Sequence, residues 1–135
     1  MIVVDTNVMV RMVVGGPNSV EAAALRDHDS TWVAPSIVMS ELRNALLGYI
    51  RQGVIALDRA VEMSRDALRI LGDNIIAVES AHVLDVAIEC GLSAYDAEFV
   101  ALARALGVQL VTLDGEILEG AADVAVRPRA FLDAT

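Results

Sequence analysis

The sequence predicts an α/β fold in one domain, residues 1–135, built on a parallel sheet of four to five strands. Short runs rich in β-branched residues alternate with longer stretches of helical periodicity, which is the pattern of repeated strand–helix–strand units. Glycines follow four of the helical stretches, and no Pro/Gly/Ser-rich linker or internal repeat divides the chain. At 135 residues and 56% hydrophobic, the chain is long and apolar enough to bury one sizeable core.

Taken in order, Ile2–Val4 reads as a strand, and Asp5 or Asn7 is placed to cap a short helix after it. Apolar residues three and four apart make Ser19–His28 a helix, and Thr31–Ala34 is the next strand. Pro35 then opens the helix Ser36–Gln52, which Gly53 ends; Asp58–Leu71 follows, ended by Gly72. Ile75–Val78 is predicted as a strand, Ala81–Gly91 and Ala94–Leu106 as helices, with Ser93 set to cap the second and Gly107 to close it. Gln109–Thr112 and Val124–Val126 complete the sheet.

Composition excludes several functional classes. Charged residues interrupt every apolar stretch before the roughly 18–20 residues that a membrane span requires. The first residues lack the basic start and long apolar core of a secretory signal, and Cys90 has no second cysteine to pair with. Both point to the cytoplasm, with Cys90 read as core. A net charge of −9 argues against a broad basic surface gripping nucleic acid, so a polyanionic substrate would have to be held locally. All ten basic residues are arginine, which suits phosphate recognition but equally fits the codon usage of a genome rich in G and C.

Four carboxylates carry the functional signal. Asp5 follows the first strand and Asp114 lies two residues past the Gln109–Thr112 strand, so both fall at carboxyl ends of strands, the edge where open α/β sheets bind ligands. Glu41 lies in the opening turns of the helix that leaves the second strand. Asp96 begins the helix that re-enters the sheet through Gly107 and Val108, so its N-terminus falls at the same edge. Each acid also has a purely structural explanation, since Asp5 and Asp114 can cap helices, Ser93–Asp96 fits a capping box and Glu41 can face solvent. Together they form a cluster whose mutual repulsion a divalent cation would relieve, and hard oxygen ligands suit Mg²⁺ or Mn²⁺.

Rival chemistries lack their residues. A phospho-receiver site or an aspartate-nucleophile phosphatase requires a lysine, and the chain has none; no phosphate-cradling glycine motif is present. His28 and His82 stand alone in ordinary settings.

The segments Ile2-Val3-Val4-Asp5-Thr6-Asn7-Val8, Pro35 to Leu42 with Glu41, Ser93-Ala94-Tyr95-Asp96-Ala97 and Leu110-Val111-Thr112-Leu113-Asp114 resemble, in order and spacing, the four acidic motifs of PIN-domain nucleases. The resemblance spans nearly the whole chain. It implies a PIN-like three-layer α/β/α sandwich, Mg²⁺- or Mn²⁺-dependent endonucleolytic cleavage of RNA, and homodimerisation. The compact length looks most like the VapC-type toxins of toxin–antitoxin pairs, which implies a small antitoxin protein as partner. On this reading Asp5, Asp96 and Asp114 hold metal, with Glu41 ligating directly or through water, and these four are the catalytic set. Glu98 and Glu116 stand beside matched positions, although Glu98 should point to a different helix face from Asp96. Arg11, Arg43 and Arg104 are candidates for substrate contact, and the helix starts near Ser36 and Ser93 for phosphate attraction. A PIN nuclease of RNA maturation without an antitoxin, and an inactive PIN scaffold that binds protein, are the alternatives; the intact set of four acids disfavours the scaffold.

Overall fold

The computed structural model describes residues 1–135, which form a five-stranded, all-parallel sheet and eight α-helices. The elements run β1 (Ile2–Val4), α1 (Thr6–Val14), α2 (Val20–His28), β2 (Trp32–Pro35), α3 (Val38–Arg51), α4 (Leu57–Leu71), β3 (Ile75–Ile76), α5 (Ser80–Cys90), α6 (Ala94–Leu106), β4 (Leu110–Val111), α7 (Gly115–Gly120), β5 (Ala125–Val126) and α8 (Pro128–Asp133). All five predicted strands are present; β1 has the predicted bounds, β2 is shifted by one residue, and β3, β4 and β5 are shorter. The fifth, the least regular in sequence, pairs with β4 through Leu110↔Ala125 and Val111↔Val126.

The strand order is β3-β2-β1-β4-β5. The chain therefore builds outward from β1 in one direction as far as β3, then crosses back to add β4 and β5 on the other side. Right-handed crossovers put α1–α4 on one face and α5–α7 on the other, giving the expected three layers. β1 and β2 are fully buried runs, as strands covered on both faces should be. Trp32 from β2 and Phe99 from α6 are the largest side chains in the core, both 0% exposed.

Three helices go beyond the sequence-based assignment. α1, the short helix expected after Asp5, runs for nine residues although Val8, Val10, Val13 and Val14 lower its intrinsic propensity. Burial of Val8, Met9 and Val13 and a cap from Asp5 override that preference. α7 and α8 are six residues each, too short for periodicity to show. Helix α3 begins at Val38 rather than Ser36, leaving Ser36 and Ile37 in a turn. No helix is long and apolar enough to cross a membrane.

Candidate active site

The reversal of strand order lies between β1 and β4, which is where open α/β sheets leave a crevice at their carboxyl edge. Asp5 follows β1 directly, and its N–H bonds Val111 O of β4 at 3.0 Å, so the two strand ends are tied together at that crevice. The Asp5 carboxylate is 5% exposed and bonded at both oxygens. Oδ1 accepts the Thr6 N–H at 2.7 Å as the cap of α1; Oδ2 accepts the Thr112 hydroxyl at 2.6 Å and the Asn7 side-chain amide at 3.3 Å.

Burial dominates the titration of Asp5 and pushes its pKa up to about 6. The Thr112 and Thr6 hydrogen bonds pull the other way, and the negative charges of Glu41 and Asp96 add to the rise. Asp96 is also raised, first by burial and then by Asp114, Glu41 and Glu116. The repulsion inferred from the sequence thus operates among these acids.

Each of the other three reaches the edge on its own element. Glu41 sits in the first turns of α3 and accepts the Thr6 hydroxyl at Oε1, 2.7 Å away. Asp96 occupies the first turn of α6, where Ser93 is the cap: Asp96 N–H donates to Ser93 Oγ at 3.1 Å. Asp114 caps α7, its Oδ1 accepting from Glu116 N and Ile117 N at 2.8 and 3.3 Å, while Oδ2 has no protein donor. Capping and clustering therefore coexist at Asp5 and Asp114.

The neighbouring acids extend the edge. Glu116 contributes to the raised pKa of Asp96. Glu98 lies towards the start of α3, lining a cavity with Ser36, and burial raises its pKa, with the charge of Glu41 adding to the rise and the nearby Ile37 backbone opposing it. The donor set is entirely oxygen, which fits a hard divalent cation. No three of the acidic, His or Cys side chains stand close enough together to hold a metal ion among them.

Of the polar side chains between the acids, the sequence singles out only Asn7, and only as a possible cap for α1, a place that Asp5 takes. Thr112 bridges Asp5 and Asp114, its Oγ1 accepting the Asp114 N–H at 3.0 Å. Asn7 donates to Asp5 and accepts the Leu113 N–H at 3.2 Å, fastening α1 to the loop after β4. Their available signal was position alone, one inside Asp5-Thr6-Asn7 and the other two residues before Asp114.

Of the three candidate arginines, Arg104 is removed from the site. It lies in the last turn of α6, about 12 Å along the helix from Asp96, and its guanidinium pairs with Glu89 at 2.6 Å and Asp123 at 2.9 Å. Arg11 is exposed on α1, and Arg43 is exposed on α3, lining a groove against α4.

The family model of the PIN domain matches residues 2–123. Three solved structures resemble the whole chain. PAE2754 from Pyrobaculum aerophilum aligns with a TM-score of 0.78 at 22% identity, covering 98% of this chain and 87% of that one. FitAB, determined bound to an IR36 DNA fragment, aligns at 0.72 and 17% identity, covering 95% of each chain. FitAcB from Neisseria gonorrhoeae aligns at 0.71 and 19% identity, covering 96% of this chain and 99% of that one. At such identities the likeness concerns the fold. No curated protein matches the sequence.

Proposed function

This chain belongs to the PIN domain family, and on that premise we propose that it is a Mg²⁺- or Mn²⁺-dependent endoribonuclease whose catalytic and metal-holding residues are Asp5, Glu41, Asp96 and Asp114. What supports the reading is that acids from separate elements act on one another at the β1–β4 edge: Asp5 is raised by burial and by the charges of Glu41 and Asp96, and Asp96 by burial and by those of Asp114, Glu41 and Glu116. Acids that only capped helices would not share a field.

When bound, a divalent ion supplies the positive charge that neutralises this cluster, polarises the scissile phosphate and acidifies water. The chain supplies placement. Thr112, Asn7 and the Thr6 N–H orient Asp5; Thr6 fixes Glu41; the α7 cap turns one oxygen of Asp114 inward to the helix and leaves the other open. None of these steps calls for a protein nucleophile. The same neutralisation would let a chain of net charge −9 accept an RNA phosphate at this edge.

The test is incubation of purified protein with a total RNA pool, with Mg²⁺ or with chelator, alongside Asp5→Asn and Asp96→Asn. Metal-dependent cleavage lost in both variants supports the reading, and sequencing the new ends names the target. Cleavage that survives chelation or either substitution overturns it.

The resemblance to compact VapC-type toxins supports a narrower proposal, that the chain is a toxin held by a small antitoxin protein and works as a homodimer. Growth arrest on expression, relieved by the product of an adjacent short gene that co-purifies with the chain, is the expected result. Harmless overexpression of active enzyme would instead favour an RNA-processing nuclease.

A further inference from the structure

A cavity of about 290 Å³ opens at the carboxyl edge of the sheet, on the β2–β3 side of the β1–β4 crevice. Three segments enclose it. The turn between β2 and α3 gives Ser36, the passage from β3 into α5 gives Val78, Ser80, Val83 and Leu84, and the start of α6 gives Glu98. Ala94, four residues before Glu98, lines it too, so one face of α6 borders the cavity. Asp96 stands between those two in sequence but is not part of the wall. The opening turns of α6 thus serve both the acidic cluster and this cavity, and α3, which bears Glu41, starts two residues after Ser36.

The polar groups of the cavity are not engaged elsewhere. The six ion pairs of the chain leave Glu98 out. The serine hydroxyls held in hydrogen bonds are those of Ser19, Ser64 and Ser93, so Ser36 and Ser80 are free to turn to a ligand. Val78, Val83 and Leu84 supply apolar surface, Val83 buried and Leu84 57% exposed. A flat ring with polar groups along one edge matches such a lining. The volume lies at the lower end for ligand pockets, which begin at about 300 Å³, and suits one base. An ionised carboxylate only accepts hydrogen bonds, so it selects among bases. Guanine alone presents two adjacent donors on its Watson–Crick edge, N1–H and the N2 amino group, with a carbonyl oxygen beside them that a serine hydroxyl can meet. Adenine and cytosine set an acceptor nitrogen beside their amino group, and uracil flanks its N–H with two carbonyls.

We propose that this cavity is a base-recognition subsite for RNA, in which Glu98 accepts from N1–H and the N2 amino group of an unstacked guanine and so fixes where cleavage falls. Sequence-specific RNA recognition works largely on bases splayed out in this way and read along their Watson–Crick edges. The base edge is neutral, so it approaches Glu98 without the cation that a phosphate needs beside Asp5, Glu41, Asp96 and Asp114. Glu98 is then a specificity-determining residue. The inference rests on the ribonuclease reading above for the identity of the polymer. Binding of single nucleosides is measured without metal or cleavage, so an empty cavity and an inert acidic edge are separate results.

The experiment titrates guanosine, adenosine, cytidine and uridine into the isotope-labelled full chain and follows its backbone amide signals by NMR. Guanosine should shift Val78, Ser80 and Ala94 and bind about tenfold more tightly than the other three. Glu98→Gln puts a donor where an acceptor is required and should abolish that preference; circular dichroism melting verifies that it folds. Ala94→Leu, at an exposed position, fills the cavity and should remove the guanosine shifts by a second route. In a parallel arm, wild type and Glu98→Gln cut the total RNA pool, and the new ends should carry guanine at one fixed position only for the wild type. Equal shifts from all four nucleosides, or a guanine preference that survives Glu98→Gln, overturns the proposal. So do cut ends without guanine at any fixed position, which leave the ribonuclease reading standing. Guanosine-selective binding by a chain that cuts no RNA would support the subsite and overturn that reading. Shifts with N-acetylarginine amide and none with any nucleoside would assign the cavity to an arginine of a protein partner and overturn the proposal equally.

Discussion

The Thr112 hydroxyl lies 2.6 Å from Asp5 Oδ2, a hydrogen bond between residues 107 positions apart in sequence. Because the same oxygen accepts the Asp114 N–H, one buried threonine sets the spacing between two of the four acids. Thr112→Val keeps the shape but removes both bonds and leaves a backbone N–H without its acceptor. The expected loss is about 1–3 kcal/mol in denaturant unfolding, with a further rise in the Asp5 pKa by NMR titration and reduced RNA cleavage. Thr112→Ser should restore most of each; equal damage from both variants would show that packing of the methyl group matters more than the hydroxyl.

Asp5 makes the metal-free protein pH-sensitive in an unusual direction. Its folded pKa of about 6 exceeds the ordinary 3.8, so the fold prefers the protonated carboxyl. That contribution is fully present below about pH 3.8 and is lost as pH rises through about 6, by an amount on the order of 2–3 kcal/mol for this buried group. Asp96 and Glu98 shift the same way, whereas Asp29 and Asp123, lowered by their cationic partners, lose stability only as pH falls below the ordinary carboxylate range. In chelator the melting temperature should therefore rise as pH falls from 7 to 5, and Asp5→Asn should flatten that trend. A wild-type melting temperature that falls over this window would contradict the assignment.

Asp96→Asn separates the site from the fold. The Ser93 hydroxyl caps α6 by accepting the Asp96 N–H, a bond the amide keeps, while the neutral side chain relieves the repulsion from Asp114, Glu41 and Glu116. The variant should lose cleavage while its metal-free melting temperature stays level or increases. Added Mg²⁺ should stabilise the wild type more than the variant, since a ligand bound only to the folded state raises its stability. Ser93→Ala should do the reverse, costing about 1 kcal/mol of stability with cleavage retained.

Gly120 is required by a close approach. A Cβ built there would stand 2.6 Å from the backbone carbonyl oxygen of Cys90, which has no flexible side chain to yield. Gly120→Ala should cost about 1–3 kcal/mol in chemical unfolding. A neutral result would mean that α7 shifts freely against the end of α5.

Arg104 acts as a tie between elements. Its guanidinium spans Glu89 on α5 and Asp123 before β5, with Asp123 held at 3.0 and 2.9 Å by two nitrogens. Both acids are largely exposed, so Arg104→Met should cost about 1 kcal/mol or less. RNA cleavage should be unchanged, and an RNA-binding defect would return Arg104 to the list of substrate contacts.

Much of the frame was legible in the sequence because it depends on local pattern. Ile2–Val4 and Leu110–Val111 are β-branched or apolar runs too short for helices, and Asp5 and Asp114 follow them directly, which fixes the edge they occupy once the sheet is parallel. The direction of α6 likewise followed from the short Gly107-Val108 link, and so placed Asp96. The short helix after Asp5 forms as expected, and tertiary burial holds it against the low propensity of its four valines.

By itself the sequence determined the elements, the strand-end positions of Asp5 and Asp114 and the helix-start positions of Glu41 and Asp96, all consequences of periodicity and chain direction over a few residues. Only the tertiary structure decided which side chains meet. Thr6 reaches Glu41 across 35 positions and Thr112 reaches Asp5 across 107; Glu98 faces the start of α3, and Arg104 is drawn to Glu89 and Asp123. Such pairings depend on which strand lies beside which and how helices rotate against the sheet, and those are settled by packing the whole core at once.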